Sequence, residues 1–314
     1  MSNITVINPG ILTTIQDSGR YGFQELGVPV SGAMDDLSFR LANILVGNNP
    51  KEAVLEATYF GPTLKFDTSV VIAITGADMS PKVDGVDVPM YESFMVKKDQ
   101  TLSFGKLREG IRTYIAFGGA IDVALVNNSK STHTKIKMGG YEGRAIKAKD
   151  ILKLRVNKIA SVGKKLPEKY RPKISKFNVI RAVLGPQDDY FTDKGIHDLF
   201  CSGGFMISKE FDRMGIRLLG SKLAHKEGAD IISDGTVFGS IQVPANGEPI
   251  ILMADRQTTG GYTKIATVIS PDLPKLAQMQ FLDKLVFQKI GIEQAQDLTC
   301  KYEENFNNII EELK

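Results

Sequence analysis

Between residues 53 and 117 the chain keeps switching between short apolar runs and turn residues. The runs lie at 53–56, 63–66, 70–75, 94–96, 101–104 and 112–117, separated by Gly61-Pro62, Gly76-Ala77-Asp78, Asp84-Gly85 and Gly118-Gly119. None of these runs is long enough to form a helix, and no helical segment intervenes to make a parallel crossover. Short strands at this spacing point to an antiparallel barrel or sandwich rather than to βαβ units. A similar set follows at 177–184, 204–208, 216–219, 239–243, 249–254 and 264–269.

Three helices flank these strands. The first is expected at 37–46, with Asp35 or Asp36 as its cap and Gly47-Asn48-Asn49-Pro50 as its stop. A second should start at Asp188 or Asp189 and run to about residue 200. The third covers 291–314, where Ile292, Ala295, Leu298, Tyr302, Phe306, Ile309 and Leu313 recur at three-or-four spacing. At 314 residues the chain is long enough for two domains. The expected layout is a first β unit over 1–160, a basic linker over 161–176, a second β unit over 177–290 and the terminal helix.

The linker reading comes from charge. Residues 130–178 hold 15 Lys and Arg against 3 Asp and Glu, a local +12 in a chain whose net charge is only +3. This stretch is read as a solvated connector, with docking of an acidic partner or an anionic substrate as the sharper reading. The balanced total gives no reason to expect nucleic acid or a membrane surface. No apolar run reaches membrane-spanning length and no secretory leader pattern is present, so the cytoplasm is the expected compartment. Cys201 and Cys300 are far apart, and His133, His197 and His225 have no ligand-spaced neighbours, so no metal site is expected. Phosphate-loop, dinucleotide and nucleophile-elbow motifs are all missing.

Four glycine-marked polar clusters carry the candidate chemistry: Gln16-Asp17-Ser18-Gly19-Arg20, Gly185-Pro186-Gln187-Asp188, Asp212-Arg213-Met214-Gly215-Ile216-Arg217, and Asp255-Arg256-Gln257-Thr258-Thr259-Gly260-Gly261. Three of them place Asp near Arg. Arginine holds planar anions through paired hydrogen bonds, and a neighbouring carboxylate orients it. Such pairs serve an amide or carboxylate substrate, and they serve equally as structural ion pairs. The loop 16–36 carries polar groups and apolar residues together and ends at Asp35.

The runs TTIQDSGRYGFQELGVPVSGAMD, GPQDDYF, DRMGIRLLG and GSIQVPANGEPIILMADRQTTGGY resemble the family of 5-oxoprolinase C subunits. That family is also called KipI antagonist or allophanate hydrolase subunit 2-like, and it is related to the carboxyltransferase domain of biotin-dependent urea carboxylase. The resemblance spans about residues 5–290. It implies a mainly β fold with flanking helices, built as two cyclophilin-like β-barrel subdomains. It also implies the A and B subunits of 5-oxoprolinase as partners, the latter KipI-like, and opening of 5-oxo-L-proline to L-glutamate with ATP and Mg2+ held by the complex. A five-membered lactam is a poor electrophile, and phosphorylation of its amide oxygen would make it open to water.

In that setting Asp17, Arg20, Asp255 and Arg256 are the candidate catalytic groups. Gln16, Asp35, Gln187, Arg213, Gln242, Gln257, Thr258, Thr259, Gly260 and Gly261 are the candidate substrate contacts, and no metal ligand is assigned. Arg20, Arg213 and Arg256 would clamp anions. Asp17, Asp35 and Asp255 would orient them, accept a proton or hold a phosphate-bound metal ion. The glutamines would read the lactam amide. The loop of the first unit and the two clusters 185–188 and 255–261 are expected to wall one site. One segment departs from the family: Asn127-Asn128-Ser129-Lys130-Ser131-Thr132 stands where a GSRST-like run is usual, which puts an anion-binding role for it in doubt. Gly139-Gly140-Tyr141-Glu142-Gly143-Arg144 matches. Two alternatives remain open. One is a biotin-dependent carboxyltransferase acting on urea or a related amide, with biotin supplied by a separate protein because no A-M-K-M pattern occurs. The other is a non-enzymatic regulator that binds a KipI-like protein.

Overall fold

The apolar run at 70–75 becomes the strand Val70–Asp78, in which Val70 to Ala77 are all buried. A strand buried on both faces must be covered on both faces. In the computed structural model, which describes residues 2–156 and 160–314, the two cover layers are of different kinds. Val70, Ile72 and Ile74 face a core shared with Ile4, Leu64, Phe66 and Leu102 from a second sheet. On the other face lies the helix Asp36–Leu45, where Thr75 Oγ1 donates to the Ser38 carbonyl at 2.6 Å.

The chain divides into two compact units. The first comprises Met1–Tyr21, Ser31–Ile174 and Asn307–Lys314; the second comprises Gly22–Val30 and Ser175–Phe306. In the first unit a five-stranded antiparallel sheet runs in the order Leu12–Gln16, Val54–Thr58, Glu109–Phe117, Val70–Asp78, Ser93–Val96. A seven-stranded sheet runs Gly119–Ile121, Ile151–Val156, Ser2–Asn8, Thr63–Phe66, Thr101–Phe104, Pro81–Val83, Val86–Asp87. Asp35 is the helix cap, its carboxylate accepting from Ser38 N at 2.9 Å and Ser38 Oγ at 2.7 Å. The stretch 163–166 runs along the Ser93–Val96 strand, with Ser93 N donating to the Lys164 carbonyl at 2.8 Å, and Leu166 is buried.

The second unit closes into a seven-stranded barrel. Its order is Phe177–Leu184, Lys264–Val268, Ser240–Gln242, Ile250–Leu252, Gly215–Leu219, Phe205–Phe211, Lys284–Lys289. The ring is sealed by a parallel pairing of Phe177–Leu184 with Lys284–Lys289, which removes exposed sheet edges. A separate two-stranded ribbon joins Asp230–Gly235 to Thr259–Tyr262. The second helix spans Asp193–Cys201 and is capped by Thr192, whose Oγ1 accepts from Gly195 N at 3.0 Å. Asp188 and Asp189 lie instead in a single 3₁₀ turn, Asp188–Tyr190. The terminal helix is Ile292–Glu312, with Phe306 and Ile309 buried. The chain is mainly β with flanking helices, as its periodicity requires.

Candidate functional site

The candidate residues fall into two groups, one in each unit. In the first unit they converge on the segment 126–133. Asn127 and Asn128 both take left-handed backbone conformations, φ 50° and 61°, and Val126 and Ser129 exchange backbone hydrogen bonds around them. This two-residue turn needs positive φ at both central positions, which asparagine tolerates better than other non-glycine residues. Asparagine thus stands in a left-handed conformation where the motif usually has glycine.

Asp17 holds the turn in place. Its Oδ1 accepts from Gly19 N at 2.8 Å, from Ser129 Oγ at 2.7 Å and from Ser131 Oγ; its Oδ2 accepts from Lys130 N at 2.5 Å. A buried carboxylate with four donors has its acceptor capacity occupied, and this geometry makes Asp17 the anchor of the loop rather than a free base. Arg20 is fully buried and donates to the carbonyls of Ser131 and, at 3.4 Å, Val126. Gln16 Nε2 donates to Thr14 Oγ1 at 2.9 Å and to the Thr132 carbonyl at 3.0 Å. Gly140, at φ +57°, packs where a Cβ would stand 1.8 Å from Thr132 Oγ1, so this position admits no side chain. Lys130 reaches away from the turn to Glu52, at 2.6 Å. Asp35 caps its helix beside a second buried network, in which Tyr114 Oη and Met34 N both donate to Glu56 Oε2 at 2.8 Å. Burial first, then the Glu56 and Asp35 charges, push the Tyr114 phenol well above its usual range, so it stays a neutral donor.

In the second unit the group divides in two. Arg213 and Asp255 form a buried bidentate pair: Nε donates to Oδ2 at 2.9 Å and Nη2 to Oδ1 at 2.8 Å. Their backbones also join, Asp255 N to the Arg213 carbonyl at 2.7 Å. Arg256 is buried as well, its guanidinium 5.7 Å from the centre of the Phe238 ring and Nη1 3.4 Å from the Met253 carbonyl. These three charged side chains tie the strand ends together. The cavity nearby is lined by their neighbours in sequence.

That cavity measures about 470 Å³. Its walls are Lys209, Glu210, Phe211, Asp212, Met214, Gly215, Arg217, Gln242, Ile250, Leu252, Gln257 and Tyr262. Gln242 and Gln257 meet there, Gln257 Nε2 lying 3.5 Å from Gln242 Oε1. A Cβ at Gly260 would fall 2.4 Å from Gln242 Nε2 and displace that carboxamide; Gly261 faces no comparable crowding. Arg217 Nε lies 3.0 Å from Glu210. Thr259 opens the ribbon, pairing with Gly235, and Thr258 lies just before it, its carbonyl accepting from Thr236 N at 3.0 Å.

Gln187 lies on a neighbouring network, accepting from Lys264 N at 3.2 Å and donating to Asp234 Oδ2 at 3.2 Å. Lys264 is a buried cation, bonded to Asp234 Oδ2 at 2.6 Å and to the Gly235 carbonyl at 3.1 Å. That hydrogen bond is the main reason the Asp234 carboxyl sits below its usual range. Sequence reasoning missed Lys264, Asp234, Lys209 and Tyr262. The one available signal was a lysine opening an otherwise apolar strand, and a charge at a barrel position needs a partner.

Comparison with known proteins is consistent with this architecture. Residues 26–289 match the family model of the carboxyltransferase domain, subdomain A and B. The chain is 36% identical over 292 residues to the 5-oxoprolinase C subunit of Escherichia coli K12, covering 93% of each. It is 34% identical over 313 residues to the urea amidolyase of Saccharomyces cerevisiae, but spans only 17% of that protein. The crystal structure of K. lactis urea amidolyase superposes with a TM-score of 0.92 at 32% identity, over 98% of this chain and 20% of that one. The chain belongs to the family of carboxyltransferase domains built from subdomains A and B.

Proposed function

We propose that this chain is the C subunit of an ATP-dependent 5-oxoprolinase, acting with its A and KipI-like B partners to open 5-oxo-L-proline to L-glutamate. The observation that carries this reading is coverage: the E. coli 5-oxoprolinase C subunit is matched over 93% of both chains. The cavity of the second unit supports it chemically. 5-Oxoproline presents a carboxylate, a carbonyl oxygen and an amide N–H. Lys209 and Arg217 are the cations available to the first, Arg217 exchanging its Glu210 partner for the substrate carboxylate, and the carboxamides of Gln242 and Gln257 supply a donor and an acceptor for the other two. The apolar walls from Ile250, Leu252 and Met214 suit the ring methylenes. Arg213 stands between the cavity residues Asp212 and Met214, and Arg256 precedes Gln257, so the buried contacts of Arg213, Asp255 and Arg256 fix backbone that carries those walls.

In this proposal ATP supplies the phosphoryl group that makes the lactam carbon electrophilic. Among the described residues no group of three or more His, Cys, Asp or Glu side chains is placed to hold a metal ion. In this proposal the complex holds Mg2+–ATP, and the task of this chain is to bind and orient the lactam. The test is glutamate release from 5-oxoproline and ATP by the reassembled complex. An unchanged rate when this chain is left out refutes the proposal.

A second reading has its own support. The structural likeness to K. lactis urea amidolyase extends over nearly the whole chain. A carboxyltransferase using a biotin-bearing partner would bind urea through the same two carboxamides. Carboxylation of urea by the chain with a biotinylated carrier, and no glutamate release in the first assay, would favour it.

A further inference from the structure

The basic stretch at 161–176 has two of its cations, Lys165 and Arg171, on a cavity of the first unit that the proposed function does not use. The cavity is about 290 Å³ and is bordered by Arg108, Lys165 and Arg171 on one side of the charge balance and Asp78, Asp87 and Glu92 on the other. The cations there are loosely held. Arg108 lies 3.5 Å from Asp78, Lys165 lies 3.8 Å from Glu92, and Arg171 Nη1 lies 3.7 Å from Glu168. In the same unit Lys130–Glu52 and Arg144–Asp150 close to 2.6 and 2.7 Å. Charge-assisted hydrogen bonds are normally about 2.7–2.9 Å, so the cavity's pairs leave binding capacity on both signs of charge.

Arg171 is the best-placed group. Its Nη2 donates to the Met90 carbonyl at 3.1 Å and its guanidinium stacks over the Tyr91 ring at 5.0 Å, which fixes its plane. Its buried Nε–H has no acceptor among the described residues. Three cations and three carboxylates cancel, so a simple anion gains little from this wall. A molecule carrying both a carboxylate and an ammonium gains at both ends.

We infer that this cavity is a binding site for a zwitterionic α-amino acid, with its carboxylate on Arg171 and Lys165 and its ammonium on Asp78 and Glu92. The site is distinct from the cavity of the second unit, and its existence does not depend on which reaction that cavity serves.

Calorimetric titration of the full chain tests it, with L-glutamine, N-acetyl-L-glutamine and inorganic phosphate as probes. L-Glutamine should bind saturably, and the acetylated probe, which lacks the ammonium, about tenfold more weakly or worse. Arg171→Ala and Lys165→Ala should each weaken L-glutamine binding by about tenfold, while Gln257→Ala leaves it unchanged. Lys165 is exposed at the rim, so its variant reports on binding even if Arg171→Ala perturbs folding. Phosphate binding as tightly as L-glutamine, loss of the heat with Gln257→Ala alone, or no saturable heat from L-glutamine would each overturn the inference.

Discussion

Removing one partner of the Arg213–Asp255 pair should be among the most damaging changes in the second unit. Both side chains are about 5% exposed, and each of the two hydrogen bonds between them is shorter than 3.0 Å. Asp255→Ala leaves the guanidinium of Arg213 in a site that water barely reaches. Breaking a buried pair in this way costs about 3–5 kcal/mol, which is about two to three and a half orders of magnitude in the local opening equilibrium. The double change Arg213→Met with Asp255→Leu removes both charges and keeps apolar volume. It should recover most of the loss, since well-packed apolar replacements of buried pairs are often neutral or stabilising. The two units need not unfold together, so bulk denaturation would blur the effect. Hydrogen exchange of peptides covering Phe205–Phe211, Gly215–Leu219 and Ile250–Leu252 reads the barrel directly. A loss below about 1 kcal/mol for Asp255→Ala, the range of exposed pairs, would show that the pair does not hold the strand ends. So would a double variant that costs the sum of the single ones.

Three further outcomes follow from the geometry. Asp17→Ala removes the acceptor for four donors and should raise the exchange of the 126–133 amides by more than tenfold, while Asp17→Asn restores part of the protection. Arg256→Ala should abolish activity of the reassembled complex without preventing assembly, as measured by turnover and by gel filtration. An active Arg256→Ala complex would show that its contacts with Phe238 and the Met253 carbonyl are structural. Asp272 is fully buried; burial raises its carboxyl, but hydrogen bonds from Arg181 and Lys275 outweigh that and hold it below the usual value. A depressed folded value means its stabilisation is fully present above the unfolded carboxylate's range, near pH 3.9, and disappears as pH falls through the lower folded value. Asp272→Asn should therefore lower thermal stability at pH 7, and the gap to the parent should begin to close only as pH falls below about 4, shrinking further as pH passes through the lower folded value; a gap that stays constant down to pH 2 would contradict the ion-pair account.

Much of the fold was open to reading because strand periodicity is local. Each of the apolar runs between 53 and 117 lies in or overlaps a strand of the first unit, and the helix after Asp35 begins where a side-chain cap requires it. The second helix shows where local rules fail. Asp188 and Thr192 are both competent caps, and the choice went to Thr192, whose backbone N–H and hydroxyl both reach the Ala224 carbonyl. No spacing rule exposes a contact between residues 32 apart.

The candidate clusters separated along the same line. Residue type alone marked Asp17, Arg213, Asp255 and Arg256 as charged groups that need partners, and each of them has such a partner in the fold. What those partners are depends on tertiary contacts: Asp17 meets residues 112–114 positions away, and Arg213 meets Asp255 across 42. Burial then turned expected ligand clamps into internal ties, because a charge inside a barrel must spend its hydrogen bonds on the protein itself. The sequence alone thus determined strand content, the start of the first helix, the family and the list of polar groups. Only the tertiary structure decided which of these groups line a cavity and which are occupied holding it open, and it alone brought Lys264, Asp234 and Tyr262 into view.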